Sequence, residues 1–376
     1  PQVTALNTLL KSKTSRNIFL KGLNGSGAAM TIASLFFKRR GNYVCVLNDL
    51  EEAGYFYHDL VQLTGGDGIY FFPSAYRRAI KYGHVDPANE ILRTEVLSTL
   101  QDPTAPFVIV TYPEALAEKV ISREVLKENT LKISVGEKLD NMFVSDVLDE
   151  YGFEQVDYVY EPGQYAMRGS ILDVFSFSYE FPYRIDFFGN EVETIRSFDV
   201  ETQLSKEKLD SIYIVPEMTK GNRTNSSLLD SLPSETLLAC KDLAWVKERI
   251  SSIWNEEPII GDEESFADIE QLRAKLITGE DFLHAALGFC RLHFGTRVAG
   301  VVDATLAFSM EAQPIYHKNF DLVSESFHKY LEDGYTLYIL SDVEKQAARI
   351  RAIFEDRGDD IPFTSVNKTI HEGFAD

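Results

Sequence analysis

The sequence predicts an α/β protein: a mainly parallel sheet, an inserted antiparallel α+β segment, and a small α/β unit at the C-terminal end. Three observations predict it. Short apolar strands alternate with helical stretches over the first third of the chain. Strands of period two, with a Gly-Asn turn between two of them, then replace that rhythm. From about residue 228 the alternation of strand and helix returns. At roughly 150 residues per domain, 376 residues make two or three domains.

The elements follow in order. Residues 17–20 form an apolar strand, 22–27 a glycine-rich turn, and 28–40 a helix closed by Gly41. A strand over 43–47 leads to a helix over 51–63, stopped by Gly65 and Gly66. Strands over 69–72 and 107–111 flank a helix over 89–100. After residue 128 an amphipathic helix spans 141–151 and stops at Gly152. Strands follow over 156–160, 170–175, 183–188 and 191–198, the last two joined by Gly189-Asn190, a hairpin turn. Then come a strand over 236–239, a helix over 244–252, an acidic loop over 256–264 and a strand over 305–308. A helix over 322–331, a strand over 336–340 and a helix over 343–354 end the pattern.

Composition excludes several classes. Hydrophobic residues make up 44% and charged residues 25%, the balance of a globular chain and not of a disordered or fibrous one. No apolar run approaches the ~20 residues of a membrane helix. Cys45, Cys240 and Cys290 lie far apart, which predicts no disulfide framework, no cysteine zinc site and a reduced, cytoplasmic setting. The chain begins at Pro1, the expectation for a processed or excised piece. The net charge of −21 is uneven. Residues 1–128 hold 14 basic and 13 acidic side chains, 129–215 hold 7 and 17, and 216–376 hold 16 and 28. Nucleic-acid binding calls for a basic surface. Only the first region offers one, at Lys38-Arg39-Arg40 or at Arg77-Arg78 with Lys81, and these read as a solvated surface before they read as a binding patch.

Residues 22–29 read Gly-Leu-Asn-Gly-Ser-Gly-Ala-Ala. Gly22 and Gly27 take the two glycine positions of the phosphate loop GxxxxGK[ST], with Gly25 between them, after a strand and before a helix. Ala28 and Ala29 replace the lysine that would reach the β- and γ-phosphates and the hydroxyl that would hold magnesium. Each lost charge-assisted hydrogen bond costs about 1.5–3 kcal/mol. Two readings stay open: a weak anion site made of backbone amides, or a turn kept for packing. The chain also lacks a DExx-type acidic motif and a QxxGRxxR-type arginine segment.

The most distinctive stretch is Arg168 to Phe175 with Pro182 to Gly189. Alternation puts Tyr183, Ile185 and Phe187 on one strand face and Arg184, Asp186 and Phe188 on the other. An arginine and a phenylalanine on an outward face have the composition of an interface hot spot, and Arg168 begins a neighbouring strand. The alternative is that Phe188 covers a satellite cluster while Arg184 pairs with Asp186 or another surface acid. The acidic surroundings favour a basic or mixed-charge protein partner over DNA. The seven histidines show no HExxH or other ligand spacing, and the acids Glu256, Glu257, Asp262, Glu263 and Glu264 read as a solvated loop before they read as a cation site. No catalytic set and no metal site is predicted.

The segments Glu161–Phe175 and Pro182–Asp199, downstream of the loop Gly22–Ala29, resemble the N-terminal, UvrB-homologous region of the bacterial transcription-repair coupling factors, the Mfd family. Weaker similarity runs through His317–Asp321 and His371–Asp376. The resemblance implies a degenerate phosphate-loop domain, RecA-like and UvrB-like, from residues 1–128 and 216–312 together. It implies that 129–215 docks the excision-repair protein UvrA, with Arg168, Arg184 and Phe188 as contacts, and that 313–376 is a small domain of unknown role. It implies no cofactor and no ATPase activity here. RNA polymerase and DNA would be engaged by other parts of the full-length, ATP-dependent translocase. Departures from UvrB itself are Ala28 and Ala29, and a short stretch over 71–87 where UvrB carries an aromatic hairpin, with Tyr76 and Tyr82 remaining. The competing expectations are a UvrB-like DNA-repair ATPase and a DNA-binding module built on residues 1–128.

Overall fold

The structure, a computed structural model, describes residues 2–12, 16–76, 86–101, 103, 105–216, 224–256, 270, 273–298, 300–317 and 319–376. The first portion runs α1 (Gln2–Ser12), β1 (Asn17–Lys21), α2 (Gly27–Arg39), β2 (Tyr43–Val46), α3 (Leu50–Thr64), β3 (Ile69–Phe71), α4 (Pro87–Gln101), β4 (Val108–Thr111), α5 (Pro113–Ala117), β5 (Val120–Ile121) and α6 (Arg123–Glu128). β2 and β4 are buried along their whole length, as parallel strands covered on both faces must be. Asp49 caps α3 by accepting the Glu52 N–H, and Gly65, at φ 92°, ends it. The end of α2 differs from the glycine signal: Arg40, at φ 48°, takes the left-handed cap and Gly41 does not. α1 has no counterpart in the sequence reading. Only Leu6 and Leu10 are buried on it, too thin a stripe to mark a helix.

The second portion holds β6 (Leu131–Ser134), α7 (Asn141–Glu150), β7 (Glu154–Gln155), β8 (Gln164–Arg168), β9 (Ile171–Val174), β10 (Tyr183–Phe188), β11 (Glu191–Phe198), β12 (Ser205–Leu209) and β13 (Ser211–Ile214). Its main sheet has the order β12-β11-β10-β9-β8-β7, antiparallel except for β7 with β8. Leu172, Val174, Tyr183, Ile185, Phe187 and Ile195 pack from that sheet against Val144 and Leu148 of α7. The strand expected over residues 156–160 does not form. Val159 is buried and Val156 half-buried, three residues apart instead of two, while Tyr158 and Tyr160 face solvent. Gln164 holds this irregular path by accepting the N–H groups of Tyr160 and Glu161 at 2.9 and 3.1 Å.

The third portion holds β14 (Thr224–Ser226), β15 (Leu237–Cys240), α8 (Leu243–Asn255), α9 (Gly279–Leu287), β16 (Cys290–His293) and β17 (Ala304–Ala307). Its last three strands join the first portion in one seven-stranded parallel sheet, β17-β1-β16-β15-β2-β4-β3. β1 thus lies between two strands that come from nearly three hundred residues later. The acidic stretch lies outside the described residues except for Glu256, which pairs with Arg249 at 3.3 Å. The chain closes with β18 (Glu311–Ala312), α10 (Phe320–Glu332), β19 (Tyr338–Leu340), α11 (Glu344–Arg357), β20 (Thr364–Val366) and β21 (Phe374–Ala375). β19 pairs with β20 in parallel and β21 with β18 antiparallel. Among the described residues no helix is long and apolar enough to cross a membrane, and no three His, Cys, Asp or Glu side chains converge on a possible ion.

Candidate functional site

Two places in the fold carry the residues singled out by the sequence. The first is the ribbon β9–β10–β11. Burial along β10 alternates as expected, with Tyr183, Ile185 and Phe187 inside and Arg184, Asp186 and Phe188 on the other face. Phe188 is 79% exposed at the tip of the hairpin, so it covers no satellite cluster. The turn that follows it needs Gly189, whose φ is 62°.

Arg184 lies on the outer face but is not free. Its Nε and Nη2 donate to the two oxygens of Asp173 at 2.6 and 2.8 Å, and Nη2 also donates to Gln203 Oε1 at 3.0 Å. Its guanidinium sits 4.3 Å above the buried ring of Phe198. Side-chain exposure is 15% for Arg184 and 1% for Asp173. The pairing acid is therefore not Asp186, which binds Arg196 at 2.9 Å and accepts from Thr194 at 2.7 Å. The hydrogen bonds to Asp173 raise the Arg184 pKa further, so the guanidinium stays charged at every working pH.

Arg168, at the end of β8, donates to the same Asp173 carboxylate and to the Asp157 carbonyl at 2.8 Å, and lies 5.1 Å over the ring of Tyr158. The register Ala166↔Asp173↔Arg184 across β8, β9 and β10 brings these groups together. One buried carboxylate thus orients two guanidiniums, leaving one net positive charge on an acidic segment. Sequence reading missed Asp173 as their common anchor. It also missed the exposed apolar side chains nearby: Tyr158 under Arg168, and Met142 and Phe143 in the first turn of α7. That turn is held near the hairpin tip because the Leu139 N–H donates to the Asn190 carbonyl at 2.8 Å.

The second place is the phosphate loop between β1 and α2. A Cβ on Gly22, at φ 89°, would stand 2.2 Å from the Phe308 carbonyl oxygen, and one on Gly27 would stand 2.3 Å from Met310 Sδ. Gly25, at φ 50°, faces the Gly373 carbonyl oxygen at 2.7 Å in the same sense. Gly22 and Gly25 are needed for close packing against the backbone of the chain itself, whereas Gly27 meets only the flexible end of the Met310 side chain. Ala28 and Ala29 are buried in the core of the large sheet. Asn24 donates to the Met310 carbonyl at 2.5 Å, and the Ser26 N–H donates to the Glu372 carbonyl at 3.1 Å. Tyr76 is partly buried and its phenol is pushed up to about 12, chiefly by burial. Arg77, Arg78, Lys81 and Tyr82 lie outside the described residues.

The fold and the ribbon define a class: an α/β protein with a phosphate loop lacking its lysine and hydroxyl, interrupted by a segment that matches the family model of the UvrB interaction domain over residues 131–219. Along its length the chain is similar to transcription-repair-coupling factor. The protein of that name from Escherichia coli K12 is 28% identical over 208 residues, 55% of this chain and 18% of the relative. That from Myxococcus xanthus is 30% identical over 210 residues, 54% of this chain and 18% of the relative. The Staphylococcus aureus RF122 protein is 21% identical over an alignment of 452 residues that takes in 99% of this chain and 38% of the relative. The chain therefore spans well under half the length of these relatives.

Proposed function

We propose that this chain is a docking module of a transcription-repair coupling protein, recruiting the excision-repair protein UvrA to RNA polymerase stalled at DNA damage. The observation that carries this reading is the exposed Phe188 at the tip of a glycine hairpin, on the same face of β10 as Arg184, which one buried carboxylate holds together with Arg168. An exposed aromatic ring on one strand face with an oriented guanidinium is the composition of an interface anchor. The fixed arginines match a partner that offers a carboxylate or backbone carbonyls next to an apolar pocket. Contact with polymerase and DNA belongs, on this reading, to parts of the coupling protein other than this chain, and the chain itself neither hydrolyses nucleotide nor takes a cofactor. Ala28 and Ala29 favour it over a UvrB-like ATPase, and a charge of −21 over a DNA-binding module.

Binding of this chain to purified UvrA, measured by calorimetry, tests the reading. Phe188→Ala should weaken the complex at least tenfold, about 1.4 kcal/mol, with an unchanged thermal midpoint. Equal affinity of the two chains would remove Phe188 from the interface. Turnover of ATP by this chain would favour the enzyme instead.

A further inference from the structure

The last residues of the chain run back across the first portion to the phosphate loop. Lys368 Nζ donates to the Gln62 carbonyl at 2.5 Å, and Thr369 Oγ1 lies 3.2 Å from His58 Nε2. The His371 N–H donates to Asp59 Oδ1 at 2.7 Å, and the His371 ring stacks on Tyr55 with centroids 3.5 Å apart. Tyr55, His58, Asp59 and Gln62 stand at i, i+3, i+4 and i+7, one face of α3. That face therefore holds the segment 368–371 along its length, and Asp59, a buried carboxylate, has the segment's own amide as a partner.

The next residue reaches the loop. The Ser26 N–H, at the start of α2, donates to the Glu372 carbonyl, and the Glu372 N–H donates back to Ser26 Oγ at 3.0 Å. An amide at that place in a phosphate loop faces an anion. Here a peptide carbonyl takes it. Gly25 and Gly373 then pass so closely that a Cβ on Gly25 would meet the Gly373 carbonyl oxygen at 2.7 Å and the Glu372 carbonyl oxygen at 3.1 Å. Beyond them β21 pairs with β18, which follows directly on Met310 and the closing side of the loop.

We infer that the phosphate loop has become a seat for a peptide, that its occupant is the chain's own segment 368–375, and that seating this segment and binding a phosphate group exclude each other. Both need the Ser26 amide. By linkage, a partner that pulls the C-terminal unit away vacates the loop, and anything that fills the loop loosens that unit.

Hydrogen exchange followed by mass spectrometry on the full chain tests this. Peptides covering 24–30 and 368–376 should be protected together. Gly25→Val, whose Cβ would meet the backbone carbonyls of Gly373 and Glu372, should speed exchange in both by about tenfold or more, leaving the β10–β11 hairpin unchanged. Tyr55→Ala, which removes only the ring stacked on His371, should do the same more weakly and decides the matter if Gly25→Val does not fold. Inorganic triphosphate at millimolar concentration should leave the wild-type pattern as it is. The inference is overturned if the wild-type tail exchanges like a free peptide. It is equally overturned if a variant that frees the tail leaves the loop protected, or if triphosphate protects the loop while the tail stays seated.

Discussion

Asp173 is the residue on which the ribbon's outer face turns. A carboxylate with 1% side-chain exposure is costly unless it is paired, and two guanidiniums meet that cost. Removing one partner is then not the same as removing an exposed anchor. Arg184→Ala leaves Asp173 with Arg168 alone and uncovers the face of Phe198. We expect a loss of about 2–3 kcal/mol in urea unfolding, somewhat below the range for a fully broken buried pair because Arg168 remains. Phe188→Ala should stay within about 0.5 kcal/mol of the wild type. Similar losses for the two would mean that the arginine is not held as described. Alternation told the sequence reader which way Arg184 points. It gave no access to the partner, because Asp173 lies opposite Arg184 only through a cross-strand register set by the connection between β9 and β10.

At the scale of the element, strong local signals were legible and weak ones were not. β10 has the bounds that period two assigns it, because it buries one face and exposes the other. β11 keeps its bounds although a register shift opposite Asp186 and Phe187 breaks its alternation, with Val192 and Ile195 buried three residues apart. The residues after α7 misled because a half-buried and a buried valine imitate a strand, while the pairing strand, β8, starts only after the turn at Gly163. The hairpin turn supplies the prediction here. Gly189 has open space around a would-be Cβ, so a side chain there meets no clash. The penalty is conformational alone, about 1–2 kcal/mol for a left-handed L-residue. Gly189→Val should lower the stability of the chain by that amount in thermal melting and weaken UvrA binding by turning Phe188. A variant as stable as the wild type would show that the turn tolerates another conformation.

For the whole molecule, the rhythm of strand and helix announced an α/β protein, but neither the strand order nor β16 could be read. Arg291 and His293 make β16 look polar in isolation, and only its place between β1 and β15 explains the burial of His293 and the half-burial of Arg291. His293 is the cost of that arrangement. Asn17 accepts a hydrogen bond from its Nε2 at 2.6 Å, an orientation fixed because the Asn17 amide nitrogen donates to the Val301 carbonyl. Burial, helped by the charge of Arg291, pushes its pKa down to about 4 from 6.5. Between those values the unfolded chain takes up a proton that the folded chain refuses. The stability His293 permits is therefore complete above pH 6.5 and is lost as the pH falls towards 4, by at most about 1.4 kcal/mol per unit. Glu95, Glu118 and Asp59 act in the opposite sense: burial raises their pKa values, so the folded state gains as the pH drops through their range. The net slope mixes the two, and a single variant separates them. The difference in urea midpoint between wild type and His293→Gln should change steadily between pH 6.5 and 4 and be constant above that window. A difference independent of pH would mean that His293 titrates normally and that the strand it belongs to is open to water.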